Sequence, residues 1–404
     1  MQTDCPLVII RWQDSAQPIS AWKYLSDLPR TQPIECATVG WLLKDNDDVK
    51  VICQSVGDLH NPNKKENHML KRRSLLAAAA ATLLFSAVAQ ADYKDEYTVS
   101  TVLPSAFPWG QAADKWVELV KERSDGRINM KIYSNSQLVS GDQTKEFSAM
   151  RSGLIDMSVG STINWSPQVP ELNLFSLPFL MPDYAAIDAI TQGEAGEAIF
   201  AAIKKRGVTP LAWGENGFRE LSNSKQTIDE PTDLDGLKIR VVGSPLFQDT
   251  FTALGANPTQ MSWADAKPAL TTGAVDGQEN PLSVFDVARI DQVGQEYLTR
   301  WHYMADPLVF AVSNSIWDQF SSEDQALLKQ AAIDAGQWEI EKSRSEIDAT
   351  LAAIKERGVE VTELTDEQRD AFTKATQSVY ETWTPRIGED LVKQAQEAVA
   401  SRNQ

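Results

Sequence analysis

Cysteine and histidine are scarce in this 404-residue chain, and what there is lies mostly near its start. Cys5, Cys36 and Cys53, with two of the three histidines, all precede Met69. Downstream of Met69 there is therefore no disulfide framework, no thiol nucleophile and no Cys/His cluster of the kind zinc requires. Ser-His-Asp chemistry would have to use His302, and no Gly-x-Ser-x-Gly elbow accompanies it. A lone histidine between Trp301 and Tyr303 on a strand reads as structural. Phosphate-cradling Gly-rich loops with Lys-Ser/Thr are missing too. Acidic pairs such as Glu339/Glu341 and Asp366/Glu367 fall at helix positions expected to be solvated. Enzymatic function, a metal and a cofactor are all poor expectations.

Positive charge is also in short supply. Residues 1–91 hold 10 of the 38 Lys/Arg and 9 of the 56 Asp/Glu, which leaves 28 basic and 47 acidic residues and a net charge near −19. Such a surface repels nucleic acid and anionic lipid. An anionic ligand would have to be met by a local exception, a few arginines or lysines in a cleft.

Long apolar runs are limited to one, Ser74 through Val88. It falls short of the roughly 20 residues of a membrane span. Leu70-Lys71-Arg72-Arg73 precedes it and Ala89-Gln90-Ala91 follows, completing the basic, apolar and small-x-small parts of a secretory signal over 69–91. Cleavage after Ala91 would leave a mature chain from Asp92, outside the cytoplasm. No cysteine follows that site, so no lipid anchor is expected. Residues 1–68 then read as a non-native extension from a misplaced start, the rival reading being a genuine cytoplasmic extension with Ser74–Val88 as a marginal anchor. Arg72-Arg73-Ser74-Leu75-Leu76 loosely resembles a twin-arginine motif, which leaves the export route open.

The mature region alternates strand and helix patterns. Strands are expected at Tyr97–Leu103, Ile128–Tyr133 and Ile155–Gly160, with helices at Pro108–Ser124 and Gln143–Arg151. That alternation predicts an α/β parallel sheet, with Ser161-Thr162-Ile163-Asn164-Trp165 at a ligand-facing strand exit. A second α/β unit follows: strands Val208–Trp213 and Leu237–Val242, helix Pro245–Leu254, and a capping box at Ser262–Asp265. Tyr303–Asn314 is expected to return between lobes as a long strand. Ser322 to Glu356 is expected to form one helix of about 50 Å, long enough to brace two domains. A last helix starts at Asp366. These patterns divide the mature chain into lobe I (92–212, with later returning segments), lobe II (213–313) and C-terminal helices (314–404).

Arg240 lies inside the apolar strand Ile239-Arg240-Val241-Val242. A guanidinium there must find a carboxylate, because burying it alone costs several kcal/mol. Its planar fork suits bidentate pairing, either with an internal Asp or Glu or with a ligand.

The stretch around it carries more. Gly236-Leu237-Lys238-Ile239-Arg240-Val241, Leu254-Gly255-Ala256-Asn257-Pro258 and the hexapeptide Asp276-Gly277-Gln278-Glu279-Asn280-Pro281 closely resemble a signature of the periplasmic solute-binding proteins of tripartite ATP-independent (TRAP) transporters, the DctP family. Asn216 to Lys225 and Leu177-Pro178-Phe179-Leu180 resemble it as well. The resemblance covers essentially all of 92–404. It implies a two-lobed periplasmic-binding-protein-like fold with crossing strands and a long bracing helix, closing over an organic acid. It implies that Arg240 pairs with the ligand carboxylate, that Arg219 is a second ligand arginine and that Asn280 bonds ligand oxygens. The small and large permease subunits are the implied protein partners, for a monomer in the periplasm. Asn164, Trp165, Trp213, Glu215 and Trp263 are expected at the pocket wall, with core packing the alternative for each tryptophan. Lys267 stands where many members carry an aromatic residue, and Pro268 follows it, so no pocket tyrosine is carried over. A binding subunit that feeds a signalling receptor is the alternative function.

Overall fold

The structure is a computed structural model that describes residues 7–10, 38–45, 48–55 and 93–402. The chain separates into two units, Met1–Phe85 and Ser86–Gln404. In the first, β1 (Leu7–Ile10), β2 (Thr38–Asp45) and β3 (Asp48–Ser55) form an antiparallel sheet in that order. The rest of the expected extension, the signal segment 69–91 and the cleavage site after Ala91 lie outside the described residues.

The second unit opens with the expected alternation: β4 (Tyr97–Thr101), α1 (Pro108–Arg123), β5 (Met130–Tyr133), α2 (Glu146–Arg151), β6 (Met157–Ser161) and the short α3 (Thr162–Trp165). Two helices, α4 (Tyr184–Thr191) and α5 (Glu194–Lys205), lead to β7 (Val208–Phe218). The chain then builds β8 (Glu220–Asn223), β9 (Lys238–Val241), α6 (Pro245–Ala253), β10 (Asn257–Gln260), α7 (Trp263–Thr271), β11 (Gly277–Asn280), α8 (Leu282–Val287) and β12 (Tyr297–Arg300). After β13 (Ala305–Ser313) come α9 (Asn314–Trp317), α10 (Ser322–Ser345), α11 (Ile347–Glu356), β14 (Glu360–Glu363), α12 (Asp366–Ala375), α13 (Gln377–Ile387) and α14 (Glu389–Ser401).

These strands make two sheets, in the orders β5-β4-β6-β13-β7 and β10-β9-β11-β8-β12-β14. Both are mixed rather than parallel. In the first, β4 runs parallel to β5 and β6, while β13 is antiparallel to β6 and β7. The cause is the pair of crossing segments: β7 passes through Arg219 into β8 of the second sheet, and the chain comes back from β12 into β13. The boundary expected at 212/213 thus falls inside β7, and both β7 and β13 belong to the first sheet. Register along this pair shifts between Asp306 and Pro307, where Asn216 is the extra residue of a bulge that bends β7 towards the second lobe. Gly217, at φ +111°, takes the turn that follows.

All nine residues of β13 are buried. Its apolar run Leu308-Val309-Phe310-Ala311-Val312 is covered on both faces, which explains why no polar alternation appears in it. On one face Trp116 of α1 meets Phe310 edge-on at 5.5 Å. Helix α10 lies along the same face, and Gly336 lets it do so: a Cβ there would collide with the Trp213 carbonyl.

The bracing helix is not continuous. It stops at Glu346 (φ −93°, ψ −5°). The 24 residues of α10 extend about 36 Å along α1 and β7, and α11 then packs on α8 of the second lobe. Each half follows the lobe it touches. Glu339, expected at the surface, is instead buried on α10 and accepts the Glu215 N–H at 2.9 Å. The capping box at Ser262 also differs, since Ser262 Oγ donates to Asp265 Oδ2 at 2.6 Å and makes no bond to the helix backbone. C-terminal to β14 there are three helices, not one; α13 packs on α6, and α14 on α4 and α5.

Candidate ligand-binding site

Where the two sheets face each other, a small, partly open cavity of about 30 Å³ lies between their strand ends. Polar groups reach it from both lobes. Ser161 and Asn164 come from the β6–α3 exit, Asn216 and Arg219 from the crossing segment, Arg240 from β9, Asn280 from the end of β11 and Asp306 from the start of β13. Gln143 and Trp263 meet across the cleft, with the Trp263 N–H donating to Gln143 Oε1 at 3.2 Å.

The two arginines differ. Arg219 is tied into the protein: its Nε and Nη2 grip the Glu279 carboxylate, Nη1 lies 3.2 Å from Asp306 Oδ2, and Nη2 also donates to Asn280 Oδ1 at 3.1 Å. Burial disfavours its charge, but Glu279 and Asp306 outweigh burial and raise its pKa. Tyr303 adds a hydroxyl bond to Glu279 Oε2 at 2.9 Å.

Arg240 has no such partner. It is 1 % exposed and forms no ion pair among the described residues. Its Nε and Nη2 both donate to the Met261 carbonyl, at 3.2 and 2.9 Å, and the Trp263 ring lies 5.9 Å from its guanidinium. Burial brings its pKa down to about 10. It stays protonated at neutral pH, so the cleft holds a buried cation whose only described hydrogen-bond partner is one carbonyl.

Asp306 completes the polar floor. Ser161 donates to its Oδ1 at 2.5 Å and Asn216 to its Oδ2 at 2.8 Å. Burial raises its pKa, with Arg219 opposing. Sequence reasoning missed Asp306 although the signal was present, for it is an ionisable residue in the apolar run Ala305–Val312, as Arg240 is in its own strand. Ser161 falls in the expected strand exit and Asn216 in the stretch that resembles the family, whereas Gln143 carries no such mark.

Of the residues expected at the site, Arg240, Arg219, Asn280, Asn164 and Trp263 line the cavity. Three do not. Trp165 is fully buried on the opposite side of α3, over Gly160 and 5.5 Å from Phe147. Trp213 stacks on Phe200 at 4.4 Å and meets Phe175 at 5.5 Å. Glu215 pairs with Arg344 at 2.7 Å, and the same guanidinium holds Asp188. Trp213 and Glu215 share the β7 face turned from the cleft, while Asn216 takes the face towards it. Lys267 points away as well, to the Ala288 carbonyl at 2.7 Å. His302 lies outside the cavity, stacked on Phe218 at 4.6 Å and 3.1 Å from Glu220 Oε1, as a structural part of the crossover.

Residues 99–385 match the family model described as DctP, bacterial extracellular solute-binding protein, family 7. The 2,3-diketo-L-gulonate-binding periplasmic protein YiaO of Escherichia coli (strain K12) is 34% identical over 264 residues, 65% of this chain and 79% of that protein. The C4-dicarboxylate-binding periplasmic protein DctP of Rhodobacter capsulatus is 30% identical over 337 residues, 82% of this chain and 100% of that protein. Among solved structures, a TRAP periplasmic solute-binding protein from Ralstonia eutropha H16 with bound (S)-2-hydroxy-2-methyl-3-oxobutanoate is 59% identical, with a TM-score of 0.75. That match covers 76% of this chain and 99% of the other.

Proposed function

Because the chain belongs to the DctP family of TRAP solute-binding proteins, we propose that it captures an organic acid between its lobes and delivers it to a membrane permease. Arg240 takes the ligand carboxylate in bidentate geometry; Asn280 and Asn164 bond its other oxygens. Arg219 orders the floor of the site from within its pair with Glu279. Lobe closure then excludes water and presents the closed surface to the small and large permease subunits, which an ion gradient drives.

The observation that carries this proposal is the buried Arg240 guanidinium, which faces the cleft without a carboxylate partner among the described residues. Each charge-assisted bond it makes to a ligand contributes about 1.5–3 kcal/mol. With contacts from both lobes, that supports roughly micromolar affinity, about 8 kcal/mol in all. The named relatives bind organic acids of different classes: a diketo sugar acid, C4-dicarboxylates and a branched hydroxy-oxo acid. The secretory pattern over 69–91 supports a periplasmic site of action. Among the described residues, no helix is long and apolar enough to cross a membrane.

Calorimetry of the protein against C4-dicarboxylates, sugar acids, aromatic acids and 2-oxo or 2-hydroxy acids tests the proposal. Saturable binding is expected in at least one class. Absence of binding in all four would overturn it.

A further inference from the structure

We propose that Asp306 selects the ligand, admitting a compact monocarboxylate with a hydroxyl group and rejecting a second carboxylate. The inference rests on the function above and narrows its ligand.

Charge carries the first half. Arg219, Glu279 and Asp306 form one buried group, each side chain no more than 3 % exposed. One guanidinium shared between two carboxylates leaves the group with one negative charge. Arg240 is then the only cavity-lining cation with no carboxylate partner among the described residues. A ligand monocarboxylate neutralises it. A second carboxylate in the same cleft would face the negative trio, itself buried in a low-dielectric setting, with no guanidinium left to take it.

Hydrogen-bond capacity carries the second half. An ionised carboxylate offers about four acceptor positions. Asp306 fills three, from Ser161, Asn216 and Arg219. The remaining position is on Oδ1, and the residue lines the cavity. A donor suits it; a ligand hydroxyl supplies one. Asp306 stands on the first sheet and Arg240 on the second, so one small hydroxy acid would tie both lobes. Val102, Leu103, Ile163, Val242 and Val284 line the same cavity and favour methyl branches over the hydroxyl chain of a sugar acid.

Three matched probes separate these claims by calorimetry: 2-hydroxy-2-methylbutanoate, 2-methylbutanoate, which lacks the hydroxyl, and 2-methylmalate, which adds a carboxylate. The hydroxy monocarboxylate is expected to bind at least about tenfold tighter than 2-methylbutanoate. It should bind at least about a hundredfold tighter than 2-methylmalate. In Asp306→Asn the penalty on 2-methylmalate is expected to shrink by about tenfold or more. The wild-type series decides alone if that variant does not fold. Equal or tighter binding of 2-methylmalate, or binding of other organic acids without the hydroxy monocarboxylate, would overturn this inference and leave the proposed function standing. Failure of every organic acid would overturn the function itself.

Discussion

Replacing Arg240 by methionine should weaken binding and, at the same time, leave the ligand-free protein as stable or more so. The two effects have one cause. Burial holds the Arg240 pKa down to about 10, which at neutral pH disfavours the charged form by about 3 kcal/mol relative to an ordinary arginine. Against that stand two hydrogen bonds to a single acceptor, the Met261 carbonyl. Sharing one oxygen, they return about 1.5–3 kcal/mol together. Methionine fills similar volume without charge and gives up both terms. The expected change in ligand-free stability lies between zero and a gain of about 2 kcal/mol.

Binding should respond in the opposite direction. A bidentate carboxylate contact worth about 3–6 kcal/mol is lost, so the dissociation constant should rise by about two to four orders of magnitude. Urea unfolding without ligand measures the first effect and calorimetry the second. A variant that binds within about tenfold of the parent would show that the carboxylate lies elsewhere. A ligand-free protein destabilised by more than about 2 kcal/mol would show that Arg240 is a structural cation. Either result would refute the account of the cleft.

Other consequences follow from the buried carboxyls, the helix contact and the secretory pattern. Burial pushes Glu146 up to about 7 and Glu339 up to about 8, despite serine donors to both. Since the unfolded chain ionises these groups first as pH rises, the stability they contribute is complete below about pH 4.5 and is lost on passing through pH 7–8. The melting temperature should therefore fall from pH 5 to 9, and Glu339→Gln should flatten that fall; an unchanged slope in the variant would exclude Glu339 as a source. Gly336→Ala should destabilise by about 1–3 kcal/mol or more, because its methyl meets the Trp213 carbonyl on β7; a neutral effect in denaturant titration would place α10 further from β7. Mass spectrometry of the exported protein should find Asp92 at its N-terminus, and a start upstream of Met69 would contradict signal cleavage.

How much of this is legible in the sequence depends on whether a residue's partner is local. Arg240 announced itself, since a charge among Ile239, Val241 and Val242 is visible in four letters. The early strands and α1 were equally local, set by alternation and by Pro108 at a helix start. Arg219 shows where locality ends. Its motif marks it as functional, but whether its guanidinium faces a ligand or the protein depends on Glu279 and Asp306, 60 and 87 residues away. The wall residues erred for a related reason. Alternation groups Trp213 with Glu215 and sets Asn216 apart, yet nothing in that pattern says which face meets the cleft. The facing is fixed by Phe175, Phe200 and Arg344 packing against the odd-numbered side. Glu339 reads as surface on a polar helix until the Glu215 amide is found against it. The break at Glu346 follows the same logic: no proline or glycine stands there, and the helix turns because α10 and α11 rest on different lobes. A ligand arginine can thus be nominated from sequence, whereas its charge balance, and with it the kind of acid the cleft accepts, is a property of strands that meet only after folding.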